Sequence, residues 1–174
     1  MKILEDLEQW KSEFEQGWLA YYKETGEFNW KIYNRPKNET APSGPGIDLS
    51  QSRLTLISTA GGYLPDSQEP FNTNKADFGD YSIRLIPMST PLDKLAYAHG
   101  SYDHAAVEAD PQVLTPLRHL EDMVNEGLIS ELAPSWISFC GWLPDVERTI
   151  DELIPAVVKA VKAEEADAAL LVPA

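Results

Sequence analysis

Little in this sequence gives its chemistry away. It has one cysteine, Cys140, so no internal disulfide and no CxxC metal or redox pair is present. Its three histidines follow neither HExxH nor HxHxDH order. No GxGxxG or P-loop occurs, which leaves a nucleotide cofactor unsupported, and no Ser/His/Asp triad can be ordered from the residues. Positive charge is scarce: 14 Lys and Arg stand against 28 Asp and Glu, a net charge of −14. Such a surface repels phosphate backbones and anionic lipid, which argues against nucleic-acid and membrane partners. No apolar run approaches the roughly 18 residues of a membrane-spanning helix. The opening MKILEDLEQW is acidic and amphipathic, unlike a signal or transit peptide, so a cytoplasmic location is expected.

What remains reads as one α/β domain. The 174 residues, 43% of them hydrophobic, suffice for a single core. Leu4, Leu7, Trp10, Phe14, Trp18 and Tyr21 recur at three and four residues, which predicts an amphipathic helix within residues 1–33, weakened at Gly17 and ended by Gly26. Residues 34–47, NRPKNETAPSGPGI, are a Pro/Gly loop, and 48–174 form the α/β body. Strands are expected over 54–58, 81–86, 136–139 and 168–171, the last of them buried. Thr115-Pro116 reads as the N-cap and first position of a helix carrying Leu117, Leu120, Val124 and Leu128, stopped at Gly127. Asp145 can cap a final helix whose apolar stripe includes Ile150, Leu153, Val157 and Val161, kinked by Pro155. Strands alternating with helices predict a layered fold with a mostly parallel sheet and flanking helices. Sites in such folds lie beyond the carboxyl ends of strands.

Candidate chemistry concentrates in two places. The loop AHGSYDHAAVEAD, residues 98–110, brings His99, Tyr102, Asp103 and His104 into one short stretch. It can pack a loop, line a substrate pocket, or, in a weaker alternative, hold a metal for a hydrolase. Ser58 and Thr59 end a strand beside Gly61-Gly62, where hydroxyls and free amides can hold a carboxylate or phosphate. Cys140 lies in an aromatic apolar run and reads as a small buried hydrophobe rather than a nucleophile. His119 falls on the polar side of its helix.

Several stretches together resemble one family. LTLISTAGGYL, FGDYSIRLIP and the long run from Ala96 to Asp145, with its HGSYDH loop, DPQVLTPLRHL segment and GWLPD turn, are similar to the selenoprotein B subunit of glycine, sarcosine and betaine reductases. Smaller relatives are similar across nearly the whole chain, least so over the first 50 residues. The resemblance implies a selenol- or thiol-dependent reductase with a small-molecule substrate, no separate cofactor, and partner subunits. In the larger reductases it implies that a pyruvoyl partner holds the substrate amine as an imine while the selenolate attacks the neighbouring carbon. In family members a strand like ADAALLVPA (166–174) leads directly into the catalytic motif of selenocysteine or cysteine, two residues, and cysteine. That motif is expected just after Ala174, whether a UGA codon was read as a stop there or a longer chain was cut. No catalytic residue then lies within 1–174, and Ser58, Thr59, His99, Tyr102, Asp103 and His104 are pocket-formers or bystanders. The alternative is a non-catalytic binding module that ends naturally at Ala174. A core strand left at a sheet edge also predicts a homodimer through that edge or the N-terminal helix, to be checked by light scattering.

Overall fold

The computed structural model describes residues 4–40 and 44–174. They form two compact units, one of residues 4–40 and 44–46 with 145–147 and one of 47–144 with 148–174.

The first unit is built on aromatic side chains. Helix α1 (Leu7–Phe14) runs through a π turn, Glu15–Leu19, into α2 (Ala20–Thr25) and ends at Gly26, whose φ of 70° supplies the left-handed cap. The π turn has a sequence cause. Trp10, Phe14, Trp18 and Tyr22 are spaced by four, so on an ideal α-helix the row would drift by about 40° per step. The wider turn at Gly17 takes up that drift. Trp10 and Phe14 stack at 5.1 Å and Phe14 and Trp18 at 5.6 Å, while Tyr33 meets Trp18 edge-on at 4.8 Å. The stacked row thus passes through Tyr22 rather than Tyr21. The loop expected over 34–47 includes 41–43, which lie outside the described residues.

The second unit contains a five-stranded sheet. Its centre is β1 (Arg53–Ser58), whose RLTLIS is buried from Leu54 onward, as a strand covered on both faces requires. A two-stranded antiparallel pair lies apart from the sheet, β2 (Gly62–Tyr63) with β4 (Ala96–Tyr97). Strand β3 (Arg84–Pro87) is antiparallel to the sheet and forms an edge. Helices α3 (Ala105–Ala109) and α4 (Leu117–Asn125) follow. Then come β5 (Glu131–Leu132) and β6 (Ser135–Ser138), which lie successively along one side of β1, parallel to it. After a short α5 (Val146–Arg148), whose first two residues belong to the first unit, and a π turn, Thr149–Leu153, helix α6 (Ile154–Ala163) carries Pro155 in its first turn, where a missing N–H costs least. Strand β7 (Ala168–Val172) then pairs in parallel with the other side of β1, Leu54 against Ala168 through Ser58 against Val172.

Alternation along the strands assigns the two faces. Leu54, Leu56 and Trp136 pack with Leu117 and Leu120 of α4; Ile57 and Ile137 pack with Ala160, Val157 and Val161 of α6. The amino end of the sheet is clamped by charge. Arg53 Nε reaches Glu131 at 2.9 Å and Nη1 reaches Glu165 at 3.2 Å, while the Arg53 amide donates to Asp167.

The α/β expectation holds, with three local corrections. The strand expected over 81–86 starts only at Arg84, because the Asp80 carboxylate accepts from the Ser82 amide and hydroxyl and bends the chain there. Strand β7 is not buried: it pairs with β1 alone among the described residues, and Leu170 and Leu171 are 38% and 65% exposed. Thr115 does not cap α4, since its hydroxyl donates to Pro111 O and meets the Tyr97 hydroxyl at 2.8 Å. The cap is Gln112, whose Oε1 accepts from the amides of Arg118 and His119 at 3.1 and 3.3 Å. At the other end Gly127, at φ 73°, closes the helix as expected. Leu128 nevertheless stays half exposed.

Candidate functional site

Three parallel strands, β1, β6 and β7, deliver their carboxyl ends to one place, where the fold itself leaves backbone groups to be satisfied. The ladder continues beyond the strands. Thr59 N donates to Val172 O at 3.1 Å, Phe139 N to Ser58 O at 3.1 Å, Gly61 N to Phe139 O at 3.0 Å and Gly141 N to Thr59 O at 3.0 Å. Gly61 has φ 70°, and a Cβ there would stand 2.2 Å from the carbonyl oxygen of Ala98. Only glycine permits this approach. Ala98 N in turn donates to Gly61 O at 2.9 Å. The Gly61 turn is thus the anchor of the 98–104 loop.

That loop closes on itself around Tyr102. The Tyr102 hydroxyl donates to Ala60 O at 2.9 Å, its ring lies 4.8 Å from His99 and 4.6 Å from His104, and His104 Nε2 donates to His99 O at 2.8 Å. His99 Nδ1 accepts from Ser101 N, which leaves the proton of the neutral ring on Nε2. Ser58 points its hydroxyl at Leu114 O, 2.8 Å away. The structure therefore brings Ser58, Thr59, His99, Tyr102 and His104 around the β1 exit. Asp103 departs from the group: it is exposed and accepts from Ala105 N at the start of α3. Among the described residues no three His, Cys, Asp or Glu side chains stand where they could share a metal ion. His119 is exposed.

Burial sets the protonation states here. It pushes the Tyr102 hydroxyl up to about 12, with Tyr97 and Cys140 adding to the effect, so Tyr102 acts only as a hydrogen-bond donor near neutrality. Burial also pushes the Cys140 thiol up, partly offset by the Trp142 amide and reinforced by Asp80. The thiol is thus buried and protonated, the opposite of an activated nucleophile. His99 is driven below 6.5, first by burial and then by repulsion from His104. Its folded form stays neutral where the unfolded chain takes a proton. Stability is then expected to be complete above about pH 6.5 and to fall as the pH drops towards the folded value, levelling below it. Urea midpoints measured from pH 8 to 5 test this; His99→Gln should flatten that fall, and an equal fall in both proteins would refute the assignment.

Beside the loop opens a cleft of about 410 Å³ lined by Leu92, Leu95, Tyr97, His104, Val107 and Pro111, with Asp93 and Glu108. It is large enough for a small molecule. Of the residues singled out from the sequence, His104 alone lines it. Tyr97, Gln112 and Gly141 carried no signal of their own. Gln112 and Tyr97 act through contacts with the 111–119 segment, and only the close approach of Gly141 to Thr59, 3.0 Å from its would-be Cβ, explains why residue 141 has no side chain.

The mostly parallel sheet with flanking helices makes this an α/β protein. The glycine/sarcosine/betaine reductase selenoprotein B family model matches residues 24–174. This chain belongs to that family. It is 30% identical over 124 residues to D-proline reductase subunit gamma of Acetoanaerobium sticklandii, covering 71% of this chain and 49% of that protein. It is 32% identical over 112 residues to sarcosine reductase complex component B subunit beta of Peptoclostridium acidaminophilum, covering 63% of this chain and 25% of that one. Glycine reductase complex component B subunit gamma of Symbiobacterium thermophilum is 26% identical over 112 residues. The chain thus spans half the length of these relatives or less. No solved structure matches it. Among the described residues no helix is long and apolar enough to cross a membrane.

Proposed function

We propose that this chain forms the strand-exit platform of a selenol- or thiol-dependent reductase acting on a small amino acid or related amine. The reactive selenocysteine or cysteine belongs to the segment that follows Ala174. The carrying observation is the convergence of the β1, β6 and β7 exits, onto which the 98–104 loop is locked through Tyr102 and Ala60. A group leaving β7 starts from this converged end. The substrate class follows from the proline, sarcosine and glycine in the relatives' names. Ser58, Thr59, His99, Tyr102 and His104 build the wall of the site in this reading. Asp103 orients α3.

The relatives' names also describe subunits of complexes, and partner subunits are part of the proposal. The outer edge of β7, unpaired among the described residues and with Leu171 exposed, offers backbone groups to a further strand, either from a reductase partner or from a second copy in a homodimer. Cytoplasmic residence fits a reductive chemistry that needs reduced thiols. The decisive experiment is to read the nucleotides after codon 174. A cysteine codon, or TGA followed by an open frame with a second cysteine three codons on, supports the reading. TAA or TAG there favours a binding module and ends it.

A further inference from the structure

The cleft beside the 98–104 loop, about 410 Å³ in volume, is held open by bonds within the protein. Tyr97 and Pro111 both stand on its wall. The Thr115 hydroxyl has one hydrogen and gives it to Pro111 O at 2.7 Å. The 2.8 Å contact between the Tyr97 and Thr115 hydroxyls is therefore donated by Tyr97. This two-bond tie joins one wall residue to the other, so the cavity exists before anything enters it. His104, a third wall residue, is fixed in the same way, by donating from Nε2 to His99 O.

The same bonds decide what the cleft can recognise. With its hydrogen committed to Thr115, the Tyr97 oxygen has only lone pairs to offer. With Nε2 donating, the neutral His104 ring keeps Nδ1 as an acceptor. The charged groups are Asp93, in the turn Leu92–Lys94, and Glu108, in α3. Neither carboxylate has an ion pair or a side-chain hydrogen bond among the described residues. No lysine or arginine lines the cleft among those residues. Its side chains thus present acceptors and negative charge, and no free donor. Leu92, Leu95, Val107 and Pro111 supply the apolar remainder. A ligand that satisfies this wall brings N–H donors, a positive charge and a hydrocarbon body. A carboxylate on that ligand would face two like charges and no cation.

We propose that this cleft is a binding site for a small aliphatic amine, held as its ammonium ion and carrying no acid group. Amino acids are excluded by their carboxylate, and the proposal does not depend on the redox reading above.

The test titrates isotope-labelled protein with hexylamine at about pH 7.5, where the amine is protonated, and follows the amide signals by NMR. Saturable shifts should appear at the residues of the wall, within 92–97 and 104–111. Hexan-1-ol, with the same chain and no charge, should bind about tenfold more weakly, and hexanoate should not bind. Asp93→Asn and Glu108→Gln should each weaken hexylamine about three- to fivefold. Both side chains are exposed and unpartnered among the described residues, so neither substitution removes a bond that the fold uses. Glu126→Gln, exposed at the end of α4 and outside the cleft, should leave the affinity unchanged. Equal binding of hexan-1-ol would show an apolar hollow without charge recognition, and equal weakening by Glu126→Gln would show attraction to the net charge of −14 alone. Either overturns the proposal, as do binding of hexanoate, an unchanged affinity in either cleft variant, or no saturable shift along the wall.

Discussion

Replacing Gly61 with alanine should cost the second unit about 3 kcal/mol or more, from forcing a left-handed backbone on a side-chain-bearing residue and from overpacking. Two separate demands meet at this residue. Its φ is 70°, and the methyl group would lie 2.2 Å from the backbone oxygen of Ala98, an atom that cannot rotate away. Relief requires the 98–104 loop to lift, which would break the bond from Ala98 N to Gly61 O and pull Tyr102 from Ala60. Gly127→Ala is the control: its φ is 73°, but a Cβ there meets nothing within 4 Å. It should lose only the conformational part, about 1 kcal/mol. Urea midpoints for the two variants separate the effects. Equal losses would show that the close approach at Gly61 is not a constraint.

A polypeptide of residues 1–174 should show no reductase turnover with the proposed amino-acid substrates, and a chain that carries the redox segment proposed to follow Ala174 should exceed it by on the order of 10³-fold or more, the scale on which loss of a nucleophile acts. The difference follows from the state of Cys140. That thiol is 2% exposed, pushed up by burial, and fixed by the bridge of its residue to Ala60. It has neither the access nor the ionisation that attack on a carbon or a selenium–sulfur bond needs. Cys140→Ser should leave the activity of the extended chain unchanged. Turnover by residues 1–174 that disappears in Cys140→Ser would place the chemistry at Cys140 and overturn the reading.

The parts of the fold legible in the sequence were those whose own side chains decide them. RLTLIS carries Leu54, Leu56 and Ile57 between turn signals and reads as a buried strand, which it is. The helix of Leu117 and Leu120 announces its stripe and its Gly127 stop. Strand β7 shows the limit. An apolar AALLV looks the same whether or not neighbours cover it, and here nothing among the described residues pairs with its outer edge. The cap of α4 escapes local reading for a similar reason: Thr115-Pro116 fits the local rule, but the donors are met from a preceding turn by Gln112. Of the site, the compact HGSYDH loop was legible because its rings are close in sequence. Asp103 was grouped with them by proximity, yet turns to the start of α3. The bond from Ala174 to Thr59 joins residues far apart in the chain, and no local pattern signals it.

The clamp on Arg53 divides the sheet into ends that answer differently to the medium. Ionic pairs to Glu131 and Glu165 hold the amino end, whereas the carboxyl end is held by hydroxyls, amides and neutral rings. Added salt screens exposed ion pairs but not short neutral hydrogen bonds. Brine should therefore fray the strands where Arg53 meets Glu131 while the exits at Thr59 and Val172 keep their amide protons. In this molecule salt tolerance is a local property, and it is greatest at the end where the chemistry is proposed to take place.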